Sequence, residues 1–73
     1  MNRMNRTSWI EVCWDTQDPC NIGWAWWAYD ENNELLDSGS LAGRQSCGSS
    51  TLAQRARAAA GVRGLRVEVR IVR

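Results

Sequence analysis

Apolar and polar positions alternate along two stretches of this chain, a third stretch is apolar on both parities, and apolar residues recur with helical spacing along a fourth. From Ser8 to Trp14, the side chains of Ile10, Val12 and Trp14 fall on one face, and Trp9, Glu11 and Cys13 fall on the other. That is the pattern of a half-buried strand. Asp15 to Pro19 ends it, because proline removes a backbone donor and fixes φ. Ile22 to Tyr29 carries no charge and predicts a second strand. Ile22, Trp24, Trp26 and Ala28 share one face; Gly23, Ala25, Trp27 and Tyr29 share the other. Both faces are apolar, as in a central strand.

A turn cluster follows, Asp30-Glu31-Asn32-Asn33, and then an extended run from about Glu34 to Leu41. Asparagine tolerates the positive φ that a tight hairpin turn needs. Asp37, Ser38 and Gly39 interrupt the third strand and assign it to a sheet edge. A two-residue Asn32-Asn33 loop sets Trp26 opposite Gly39, where a large ring lies over bare backbone, but it also sets Glu31 opposite Glu34. A longer loop is equally compatible, so the register stays open.

Ala42 to Ser50 reads as a connector. A helix is expected over Thr51 to Ala60, with Ser49 or Ser50 as N-cap and Gly61 or Gly64 as its stop. Leu52, Ala56, Ala59 and Ala60 form its apolar stripe, with Arg55 and Arg57 turned outward. Leu65 to Arg73 alternates cleanly: Leu65, Val67, Val69 and Ile71 against Arg66, Glu68 and Arg70. The fold class is therefore α+β, ordered β-β-β-α-β. A right-handed crossover places the last strand parallel to the first, giving a four-stranded, mainly antiparallel sheet in the order 3-2-1-4 with one helix on one face. Residues 1–7 are expected to be a disordered lead and residues 8–73 a single domain.

A chain of 73 residues buries a modest core and has little room for a spacious active site. There is no histidine, the commonest general base and metal ligand. Cys13, Cys20 and Cys47 are odd in number and irregular in spacing, which suits neither a disulfide framework nor a zinc site. Cys47, near the expected helix start, has no histidine to activate it and reads as structural. No catalysis, cofactor or metal is expected. The apolar runs are too short for a membrane span, and the expected location is the cytoplasm.

The formal charge is only +1, but it is unevenly spread. Glu11, Asp15, Asp18, Asp30, Glu31, Glu34 and Asp37 lie between Ser8 and Ala42 with no basic residue among them. From Gly43 onward, Arg44, Arg55, Arg57, Arg63, Arg66, Arg70 and Arg73 face Glu68 alone. Such a split marks either an interaction surface or two halves that neutralise each other once folded.

The stretch WDTQDPCNIGWAWWAYDENNELLDSG resembles the opening hairpin of the ribonuclease H-like superfamily. That resemblance implies a metal-binding role for Asp15 at the end of the first strand. The expected helix, however, holds no acid to join it in a two-metal site. In size, layout and split charge the chain resembles small proteins of phages and mobile elements, including the anti-CRISPR type. This implies an inhibitor that blocks or modulates a larger bacterial nucleic-acid-handling complex, with the acids Asp15, Asp18, Asp30, Glu31 and Glu34 binding the partner as a nucleic-acid mimic. The alternative is a nucleic-acid-binding module using an open sheet face with Trp27, Tyr29, Arg66 and Arg70. A third possibility is a homodimer formed through that open face.

Overall fold

The structure, a computed structural model, describes residues 7–15, 23–64 and 66–72. Most of the expected N-terminal lead and most of the first loop, Asp18 and Cys20 included, lie outside the described residues. The chain forms β1 (Trp9–Asp15), β2 (Gly23–Tyr29), β3 (Leu35–Leu41), α1 (Ser49–Ala59) and β4 (Glu68–Val72). They make one four-stranded sheet in the order β3-β2-β1-β4. β1 pairs antiparallel with β2 and parallel with β4, and β2 pairs antiparallel with β3. The α+β order and the 3-2-1-4 sheet expected from the sequence are both present.

The period of two in the first two strands selects the core. Ile10 and Val12 of β1 and Trp24, Trp26 and Ala28 of β2 point to the side covered by α1 and are buried. Leu52 and Ala56 meet them from the helix, and Val62 and Val67 close the end. Each large aliphatic side chain buried this way contributes about 1.5–3 kcal/mol. Trp24 is buried with its indole N–H donating to the Arg44 carbonyl at 2.8 Å, which satisfies the polar end of an otherwise apolar ring. Trp14 meets it edge-on, ring centroids 5.2 Å apart.

The helix departs from expectation in three respects. Its N-cap is Gly48, without a side-chain cap bond, and Ser49 and Ser50 lie inside the first turn. Cys47 packs against the core and donates its N–H to the Arg44 carbonyl, so the chain is already positioned to turn helical after Gly48. The buried face centres on Ala56, with Leu52 reaching in from the side. Ala59, one methyl on the flank of that face, is exposed, while Ala60 is half-buried. Nor is Arg57 turned outward: its Nε and Nη2 donate to the Val67 carbonyl at 3.3 and 2.9 Å and tie the helix end to the start of β4. Arg55 is exposed, but its Nη1 donates to the Ala42 carbonyl at 2.6 Å.

Gly61, at φ +77°, stops the helix as expected. Its N–H donates to the Ala58 carbonyl and the N–H of Val62 to the Arg57 carbonyl. This paired arrangement satisfies the last carbonyls and turns Val62 into the core.

The β2–β3 hairpin resolves the open register. Asp30 accepts from the Asn33 N–H and donates its own N–H to the Glu34 carbonyl. Asn33 takes the left-handed conformation, φ +63°. The loop is therefore three residues, Glu31 to Asn33, and Glu31 does not face Glu34. An odd loop shifts the pairing by one residue. A bulge then shifts it back, because Tyr29 pairs with Leu35 and Ala28 with Asp37, leaving Leu36 extra. Trp26 consequently still sits opposite Gly39.

That pairing is tight. A Cβ added at Gly39 meets Trp26 Nε1 at 2.8 Å, and the ring is buried. Gly39→Ala is expected to lower stability by about 1–3 kcal/mol in urea unfolding. Gly23→Ala, with nothing within 4 Å of the added carbon, is expected to stay within about 0.5 kcal/mol of wild type or to gain slightly.

Candidate interaction surface

The positions of β1 and β2 that alternate with the core project to the opposite face of the sheet. The strand registers arrange them in rows. Glu68, Trp9, Tyr29 and Leu35 run across the sheet as one row; Arg70, Glu11, Trp27 and Ser38 form the next; Val72, Cys13, Ala25 and Ser40 form the third. No described helix or strand lies over them. Trp9, Trp27, Tyr29, Glu11 and Cys13 are half-buried, whereas Leu35, Val72 and Arg70 are exposed.

Part of this face is already ordered. Trp9 and Tyr29 stack with centroids 4.3 Å apart and planes 21° from parallel. Arg70 places its guanidinium carbon 4.2 Å from the Trp9 ring centroid, within cation–π distance. The same guanidinium donates from Nη2 to Glu68 Oε1 at 3.1 Å. Trp9 also donates its indole N–H to Asn33 Oδ1 at 3.3 Å, tying the stack to the hairpin turn. Cross-strand aromatic pairs of this kind add about 0.5–1.5 kcal/mol beyond the area they cover.

Trp27, Tyr29 and Arg70 therefore lie on one face of the sheet. Arg66 is not among them. It precedes β4 and lines a shallow groove of about 260 Å³ with Arg57, Val67 and Glu68, beside the helix end. The sequence singled out neither Trp9 nor Glu11 as a site residue. Both share the parity of Cys13 in β1, and that alternation was the available signal.

The acidic residues do not share one place: Asp15 ends β1, whereas Asp30, Glu31 and Glu34 belong to the hairpin turn at the other end of β2. The side chain of Asp15, like the whole of Asp18, lies outside the described residues. Glu31 and Glu34 are exposed at the tip of the hairpin. Asp30 holds the turn together, because its Oδ1 accepts from the N–H groups of Asn32 at 2.8 Å and Glu34 at 2.9 Å. Among the described residues no group of three histidine, cysteine or acidic side chains is placed to hold a metal ion, and α1 contributes no acid to Asp15. Neither Cys13 nor Cys47 forms a disulfide among the described residues. No described helix is long and apolar enough to cross a membrane.

Comparison with known proteins finds no matching family model, no matching curated protein and no matching solved structure.

Removing the Asp30 carboxylate strips two turn N–H groups of their acceptor. Asp30→Ala is expected to cost about 1–2 kcal/mol in chemical unfolding. Glu31→Ala, at an exposed position with no such bonds, should change stability by less than about 0.5 kcal/mol.

Proposed function

We propose that this chain is a small, non-catalytic binding protein that docks on a larger protein and blocks or modulates it, with the open face of the sheet as its contact surface. The observation that carries this reading is the half-buried set Trp9, Trp27 and Tyr29, with Arg70 beside them, on a face that no described element covers. Tryptophan, tyrosine and arginine dominate the energetic centres of protein interfaces. They bury much surface while losing little conformational freedom when they are already stacked.

The charges on that face favour a protein over a nucleic acid. Glu11 and Glu68 lie among the rings, and the guanidinium of Arg70 is engaged by Glu68 and by Trp9. Trp9 is bounded by Tyr29 and Arg70, which limits its use as a platform for a stacked base. The exposed acids Glu31 and Glu34 favour a second reading, in which the hairpin tip imitates spaced phosphates. In both readings a bacterial nucleic-acid-handling complex, the target implied by the anti-CRISPR resemblance, is the first class of partner to screen.

The test is capture from a nuclease-treated bacterial lysate, followed by affinity measurement on the isolated partner with three variants. Trp27→Ala and Tyr29→Ala are each expected to weaken binding by about 2 kcal/mol, roughly thirtyfold in Kd. The double variant Glu31→Arg/Glu34→Arg is expected to bind as wild type. Loss in the hairpin variant with retention in the face variants would transfer the function to the acidic tip. Capture that disappears on nuclease treatment would instead make the chain a nucleic-acid binder.

A further inference from the structure

Glu11 occupies the middle of the open face. Its register partners are Trp27 on β2 and Arg70 on β4. An arginine directly across a strand pair is the natural counter-ion for a glutamate. Yet Arg70 is drawn away from it, with its guanidinium on Glu68 at 3.1 Å and over Trp9 at 4.2 Å. Glu11 makes no hydrogen bond or ion pair among the described residues and is half-buried. Its other neighbour, Trp27, stacks on no ring among the described residues. A half-buried carboxylate and an unstacked indole thus stand side by side, their Cβ atoms about 4.5–5.5 Å apart as for any directly opposed antiparallel pair.

We infer that Glu11 and Trp27 form a receptor site for an arginine side chain presented by the protein partner. The inference rests on the open face being the contact surface, and it names what that face reads. A guanidinium laid over Trp27 lies within about 6 Å of the ring centroid, the distance at which the ring attracts a cation. From there its N–H fork reaches the neighbouring Glu11 carboxylate, which accepts it in plane. Arginine fits better than lysine because it stacks flat and donates two parallel bonds at once. The molecule already contains the same recognition on itself: Arg70 lies over Trp9 and donates to Glu68 one row away. Charge complementarity points the same way, since Glu68 and Arg70 compensate each other and leave the Glu11 carboxylate as the residual charge of the described face.

The experiment titrates the ¹⁵N-labelled protein with N-acetyl-L-arginine amide and, separately, with N-acetyl-L-citrulline amide, a neutral isostere. Chemical shifts of the Trp27 indole N–H and of the Glu11 and Trp27 amides are followed. The arginine probe is expected to move these signals saturably with a millimolar Kd, while citrulline moves them little. Glu11→Gln, a near-isosteric change on a solvent-facing strand position, should weaken the arginine response by about fivefold or more. Glu31→Gln, which removes the same charge from the hairpin tip, should leave it unchanged. Equal responses to arginine and citrulline, an unaltered response in Glu11→Gln, or shifts centred on the Arg57–Arg66 groove would each overturn the site. The probe needs no partner, so the two readings fail separately. If partner binding depends on Trp27 and Tyr29 but the probe gives no response, only the arginine site falls. If the probe responds as expected but the partner ignores the face variants, the docking reading falls.

Discussion

Among the described residues one eleven-residue helix covers a four-stranded sheet, and a helix covers one face. Everything else follows from how the sequence lives with that shortage. The covered side holds two large rings, Trp24 and Trp26, and α1 meets it with the small Ala56 beside Leu52. The uncovered side cannot be purely polar, because β2 alternates tryptophan and alanine on one face with alanine, tryptophan and tyrosine on the other. Stacking within the sheet then shields part of the exposed aromatic surface. Trp9 lies against Tyr29 and under Arg70, so a layer one side chain thick stands where a second helix would otherwise pack.

The tight approach of Trp26 to Gly39 governs the hairpin in the same way. The ring fits only where its cross-strand partner has no side chain. A three-residue loop alone would move that partner by one position and turn every side chain of β3 to the wrong face. The bulge at Leu36 restores the pairing. It also bends an edge strand that is exposed along nearly its whole length, which discourages pairing with another edge. Asp30 and Asn33 supply the turn chemistry that makes the odd loop possible: one carboxylate oxygen for two N–H groups, and one residue that accepts positive φ.

The strand order was legible because the first and last strands alternate, turn residues bound the two between, and the crossover rule leaves few topologies. The helix stop was legible to within two glycines, Gly61 and Gly64, both at positive φ, and Gly61 is the one that closes the helix. The cap at Gly48 was not, because three hydroxyl residues in succession offer equivalent caps and the choice is made by where Cys47 docks on the core. The inward role of Arg57 was hidden for a similar reason: its acceptor is a carbonyl ten residues away in sequence. On the surface, composition drew attention to the acids, but register decides which groups meet. It puts Asp30 to work inside its own turn. It also joins Trp9, Tyr29 and Arg70, which lie far apart along the chain, and sets Glu11 beside Trp27.

Among the described residues one aromatic face of the sheet is open and the other is closed by α1. Residue-resolved oxidative footprinting of the tryptophans, read by mass spectrometry over a range of dilutions, tests it most directly. The account predicts that Trp27 oxidises readily at every concentration while Trp24 and Trp26 stay protected until the protein unfolds. Protection of Trp27 equal to that of Trp24 at the lowest concentration would mean that the face is covered within the single chain, and would contradict the account.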